Sequence, residues 1–168
     1  NYIIGRILSL GSPMNYQSVG VKGYTSLNHA RLFNMALNAN YNILQHLHWK
    51  GMLTYARATD DKDGNLPFIR PLSYQTSLHF MYKNFGAQTS VNGDLMQRNY
   101  SPEYGEDQTP AYMLLNISAN YSFSIKNVTT VLQVGAENLL NEYYSTYADW
   151  GNISRMGRNI FTSLKLSF

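Results

Sequence analysis

The sequence predicts an all-β chain, about eight antiparallel strands of a transmembrane β-barrel. Three observations predict it. Apolar and polar residues alternate with period two through most of the chain, as they do along a strand whose two faces meet different surroundings. The polar positions are mostly Asn, Ser, Gln and Thr, and charged residues are only 14% of the 168, against about 25% in an ordinary soluble domain. The segments are joined by short and long connections in turn, the pattern of outer-membrane barrels with tight periplasmic turns and long external loops.

The elements follow in order. Residues 2–10 are β-rich with weak alternation, and Gly11-Ser12-Pro13 opens a loop. A strand from Val19 to Tyr41, irregular near Ser26–His29, sets Phe33, Met35, Leu37, Ala39 and Tyr41 against Asn34, Asn38 and Asn40. After a short turn, Leu47, Trp49, Gly51, Leu53 and Tyr55 share a face, with His48, Lys50, Met52 and Thr54 opposite. A polar loop from Thr59 ends in Leu66-Pro67-Phe68-Ile69-Arg70-Pro71, where two prolines stiffen the chain. Leu72–Tyr82 and Phe85–Leu95 alternate around the tight turn Lys83-Asn84. Residues 99–110 are a second long loop. Met113–Tyr121 and Val128–Ala136 alternate around a short turn, and a third long loop, Leu139–Met156, precedes the last strand. That strand runs from Arg158, with Ile160, Thr162, Leu164, Leu166 and Phe168 on one face and Phe161 the one aromatic on the polar face. Tyr41, Tyr82, Phe85, Tyr121, Phe123 and Phe168 collect beside the short turns. A ring held in hydrocarbon with its hydroxyl in water makes an aromatic girdle at a membrane boundary.

Composition excludes other classes. No stretch reaches the ~18–20 apolar residues of a spanning helix. The 13 basic residues are scattered and the net charge is +3, so a nucleic-acid footprint is not expected. The absence of Cys removes disulfides and thiolate metal sites. A soluble sandwich with a dry core would carry more Lys and Glu on its wet face.

The segment Asn138-Leu139-Leu140-Asn141-Glu142-Tyr143-Tyr144, then Gly157-Arg158 and an alternating strand ending on Phe168, resembles the C-terminal signature of TonB-dependent outer-membrane receptors. Leu140 and Asn141 stand where Phe and Asp are more usual. Upstream, Tyr24–Asn28 with Ala30-Arg31 and Leu37, and the Leu66–Pro71 stretch, resemble that family in the same order. The resemblance implies a barrel of about 22 strands with an N-terminal plug. Residues 1–168 are then expected to be its C-terminal barrel part, with the plug and TonB box absent and the N-terminus cut. It implies active uptake of a scarce ligand: siderophore-iron, haem, cobalamin, copper or a glycan. The implied partners are outer-membrane lipid, the plug and upstream barrel, TonB through the missing N-terminal part, and the barrel-assembly machinery, which would read Phe168. Gly157 and Arg158 would restart the sheet where the loop returns. The alternative is a complete eight-stranded barrel serving as adhesin, anchor or membrane enzyme. Pairing of residues 2–10 with the last strand would close it.

For ligand contact, the aromatic loop Tyr143, Tyr144, Tyr147 and Trp150 is the best candidate, since it offers rings to stack on a ligand. No metal, cofactor or catalytic residue is assigned. His46 and His48 make at most an incomplete metal pair, and Met14 and Met156 are isolated loop thioethers. Asp60–Asn65 lacks EF-hand spacing. His79 beside a Ser or Asp would need a third group in place.

Overall fold

The structure is a computed structural model that describes residues 2–8, 21–62 and 64–167. Among the described residues there are nine strands in two sheets. Strands β1 (Tyr2–Leu8) and β2 (Val21–Leu27) pair with each other as an antiparallel ribbon. The other seven form one antiparallel meander: β3 (Arg31–Leu44), β4 (Leu47–Thr59), β5 (Ser73–Tyr82), β6 (Phe85–Asp94), β7 (Tyr112–Ile125), β8 (Val128–Glu137) and β9 (Asn159–Ser167). The expected Val19–Tyr41 strand is thus two strands, separated at Asn28–Ala30 where the alternation falters. The ribbon strands have 7 residues each, short of the ~9–11 needed to cross a bilayer. The meander strands, from 9 residues in β9 to 14 in β3 and β7, reach that length.

Register settles which faces are shared. Asn42, His48, His79, Gln88, Ser118, Gly135 and Phe161 follow one another across the sheet on the polar face. Tyr82, Phe85, Tyr121, Leu132 and Leu164 do so on the apolar face. A single-residue slip would exchange these faces, so the alternation excludes odd shifts of register but leaves shifts by two open.

Sheet interiors here are not a dry core. Apolar-face side chains such as Leu37, Tyr41, Val134 and Ile160 are exposed. The buried apolar residues, Leu27, Ala58, Tyr104, Tyr112, Leu114 and Ala136, all gather toward the long-loop end. A soluble sandwich would bury its apolar face against a second layer. Here that face lies open along the sheet, as it does when lipid covers it.

Trp49 illustrates the fit. Its indole Nε1 donates to Thr76 Oγ1 on β5 at 2.7 Å, so no N–H is left unpaired in hydrocarbon. Its ring lies over Gly51, where a Cβ would come within 2.7 Å of it.

The hairpin turns are Gln45-His46, Lys83-Asn84 and Lys126-Asn127. Lys83 and Lys126 take positive φ, 50° and 54°, a cost of ~1 kcal/mol or more each for a side chain with a Cβ. The girdle residues stand beside these turns. His46 meets the Tyr82 ring edge-on at 5.2 Å, Phe80 and Phe85 lie 6.3 Å apart, and Lys83 Nζ sits 5.4 Å from the Tyr82 ring.

Strand β9 pairs with β8, and β3 with β4; neither pairs with β1. The pairing that would close a small barrel is therefore absent among the described residues, and the seven-stranded sheet is open at both edges.

Candidate functional site

At the long-loop end three loops fold onto the sheet, each held by a buried polar anchor. The first anchor is Asp94, the last residue of β6, which is 2% exposed. Its Oδ1 accepts from Arg70 Nε (3.1 Å) and Nη2 (2.9 Å), and its Oδ2 accepts from Tyr112 Oη at 3.0 Å. The first and second loops therefore converge on one carboxylate. Burying that charge is tolerable because both oxygens are hydrogen-bonded and a guanidinium stands beside it. On the same polar row, the hydroxyls of Thr54 and Ser73 are hydrogen-bonded to each other.

The second anchor is Glu106. Its carboxylate accepts from Phe68 N at 3.0 Å, Gln97 Nε2 at 2.8 Å and Ser101 N at 2.8 Å. Gln97 also donates its backbone N–H to Thr109 O at 3.0 Å.

The third anchor is the Asn138–Asn141 turn, which carries the C-terminal signature. Asn138 and Asn141 both have positive φ, 47° and 56°, a conformation Asn tolerates better than most residues. Asn138 clasps Glu142 like a short strand partner: its Nδ2 donates to Glu142 O at 2.9 Å and its Oδ1 accepts from Glu142 N at 2.8 Å. Asn141 Oδ1 then accepts from Arg158 N at 2.9 Å, joining the two ends of the loop. Gly157 is needed there because a Cβ would come 2.6 Å from Asn141 Oδ1. Leu139 N donates to Leu115 O at 2.8 Å, which seats the turn on β7. It is the backbone of Arg158 that this clasp uses.

Within the third loop, Asp149 accepts from Thr146 N (2.7 Å) and Oγ1 (2.8 Å) and pairs with Arg155 at 2.7 Å. The Arg155 bond, helped by the Thr146 bonds, pulls the Asp149 carboxyl down to about 2.

Beneath this loop, on the polar face of β6–β9, lies a recess of about 420 Å³. Gln88, Ser118, Gln133 and Phe161 of the sheet and Tyr144 of the loop line it. Phe161 stands opposite Gly135 on β8, where a Cβ would come within 2.5 Å of its ring. That missing side chain gives the aromatic room on a polar face. Tyr144 is fixed by the Tyr112 ring, centroid to centroid 4.8 Å.

A second recess of about 560 Å³ lies between the end of β2 and the loops at 60–65 and 100–104. Its acidic groups are committed. Asp60 Oδ1 accepts from Lys62 N and Gly64 N, which closes its own loop, and Asp61 Oδ2 accepts from Asn28.

Tyr144 lines the recess, Tyr143 is 84% exposed, and Tyr147 is half-buried; the Trp150 side chain, Phe168 and Met14 lie outside the described residues. Met156 lines the recess. His46 and His48 are not a pair. His46 belongs to a turn, and His48 Nδ1 meets Asn42 Oδ1 at 2.7 Å. His79 Nε2 meets Ser77 Oγ at 3.0 Å, and no triad is assembled among the described residues. Gln88, Gln133 and the Asp94–Tyr112 pair were not singled out in the sequence. They come from distant segments, and only register brings them together. Phe161, the one aromatic on the polar face of the last strand, was the visible signal.

The model of the family described as TonB dependent receptor-like, beta-barrel matches residues 7–139. Among solved structures, "Copper transporter OprC" superposes on 97% of this chain with a TM-score of 0.80 at 18% identity. At that identity the likeness is one of fold. The chain covers 26% of that structure's chain. A comparison with curated proteins returns no match. The match over most of its length, on a sheet with one lipid-type and one polar face, shows that the chain belongs to the TonB-dependent receptor-like β-barrel family.

Proposed function

We propose that this chain is the C-terminal barrel part of an outer-membrane receptor that imports a scarce ligand with energy delivered through TonB. The observation that carries this reading is the open seven-stranded sheet: an apolar face, a polar face and a loop-roofed recess on the polar side. Two unpaired edges suit a segment of a wider wall. The upstream barrel would pair with β3 and β9, and the plug would sit against the polar face. TonB would engage the plug's N-terminal end. The long loops would face outward and Tyr144 would meet incoming ligand. The family is one of outer-membrane receptors and transporters, and the chemistry assigned to this chain is binding and passage rather than catalysis. Copper is not carried over from OprC, because a likeness of fold says nothing of cargo.

The test is energised uptake. Cells producing the whole receptor should accumulate its ligand, and loss of TonB or of the proton gradient should abolish accumulation while leaving surface binding intact. Accumulation that persists without TonB sinks the reading. Phe168 is proposed to be read by the barrel-assembly machinery. Its deletion should lower the surface level of the receptor several-fold, measured by surface biotinylation, and an unchanged level would remove that role.

A further inference from the structure

We propose that the recess between β6–β9 and the third loop binds a neutral, hydroxyl-rich ligand, a short oligosaccharide. This rests on the reading that the polar face lines a transport lumen. Charge is the first argument. Among the lining side chains the only formal charge is Glu137, whose Oε2 already accepts from Asn159 Nδ2 at 3.2 Å. No Lys, Arg or His lines the recess. An anionic ligand would shed its hydration there with no cation to replace it. A bare metal ion finds one thioether, Met156, and no group of three His, Cys, Asp or Glu side chains among the described residues.

Hydrogen-bonding capacity is the second argument. Gln88, Gln133 and Ser118 line the recess, and their side chains make no hydrogen bond to another described residue. Each amide offers two donors and an acceptor with two lone pairs. The neighbouring amides are already aimed. Asn116 donates to Asn92 Oδ1 at 2.9 Å, and its own Oδ1 accepts from Asn138 N at 2.9 Å. The Asn92 carbonyl is therefore committed and its N–H₂ remains for a ligand. Paired donors and acceptors without net charge match the hydroxyl groups of a sugar.

The rings are the third argument. Phe161 and Tyr144 both line the space, Phe161 standing over Gly135 and Tyr144 held by Tyr112. A pyranose presents C–H bonds on its faces and hydroxyls at its rim. The negative face of an aromatic ring attracts those C–H groups, while the amides reach the rim. Because the rings are held in place before binding, little ordering cost is added.

The experiment is equilibrium binding to the purified whole receptor in detergent by calorimetry. The probes are maltotetraose, cellotetraose, chitotetraose, a neutral ferric trihydroxamate and cupric ion. At least one tetraose should bind. Gln133→Leu and Gln88→Leu, which keep side-chain size, should each weaken it about tenfold or more, and Phe161→Ala by a similar factor. Heat-modifiable migration on gels confirms that each variant barrel is folded; the two Gln variants carry the test if Phe161→Ala does not fold. Binding of only the trihydroxamate or the cupric ion overturns the proposal, as does binding of no tetraose. So does tetraose binding that is unchanged in both Gln variants. TonB-dependent uptake of a non-sugar ligand would sink the sugar site and leave the receptor reading standing. Tetraose binding without energised uptake would do the reverse.

Discussion

Asp94 shows how much a single residue can hold at this end of the sheet. It is buried, yet both carboxylate oxygens are used, by Arg70 from the first long loop and by Tyr112 at the end of the second. Arg70 is half in solvent, so the ion pair itself is worth less than a buried one. The larger cost of removing Asp94 falls on the stranded Tyr112 hydroxyl, which is buried. Asp94→Ala should therefore destabilise the receptor by about 1–3 kcal/mol, read as a lower urea midpoint in detergent. It should also loosen the first two loops to protease. An unchanged midpoint and cleavage pattern would show that the cluster is ornamental. Gly135 works differently, by absence: it leaves the space in which the Phe161 ring stands on a polar wall.

The third loop is organised by two side chains that imitate backbone. Asn138 bonds both polar groups of Glu142, and Asn141 accepts from Arg158 N across the loop's base. Asn141→Ala removes that acceptor and should cost about 1 kcal/mol. Faster hydrogen exchange at the Arg158 amide would report it, and unchanged protection would argue against the clasp. Farther out, Asp149 ties Thr146 to Arg155. Its folded value, about 2, lies below the ordinary 3.8. A depressed carboxylate contributes fully above its unfolded value and loses that contribution as pH falls through the folded one. Protection at the Thr146 amide, corrected for intrinsic rate, should hold down to about pH 4 and fall toward pH 2. Asp149→Asn should show the reduced protection already at neutral pH. Protection unaltered at pH 2 would mean that the loop does not depend on this charge.

At the scale of the whole molecule, the acidic residues gather at one end of the strands. The described acidic residues lie in or beside the long loops, while the turn tips carry Lys83 and Lys126. On the proposed orientation, with the long loops outside, a chain without Cys permits a clean test. In the whole receptor freed of any other Cys, Lys62→Cys should react with an impermeant maleimide on intact cells, and Lys83→Cys only after the outer membrane is opened. The opposite labelling would invert the orientation.

The strands of the meander, their faces and their turns were legible in the sequence. Alternation is a local property, and each strand shows it without its neighbours. The split of Val19–Tyr41 was not legible: the sequence shows only an irregularity near Ser26–His29 in what reads as one strand, and the structure ends β2 at Leu27 and starts β3 at Arg31. The end motif was visible too, although only geometry explained it, as a clasp between Asn141 and Arg158. Register and loop packing were not legible. They depend on which distant segments meet, and several polar residues of one face can exchange places without changing the pattern. By itself the sequence determined an antiparallel sheet between two solvents, since period two and a scarcity of charge require it. Tertiary structure alone decided that β1 pairs with β2 and leaves β9 open. It also decided that Gln88, Gln133, Phe161 and Tyr144 surround one recess, because pairing across strands, not order along the chain, sets which side chains meet.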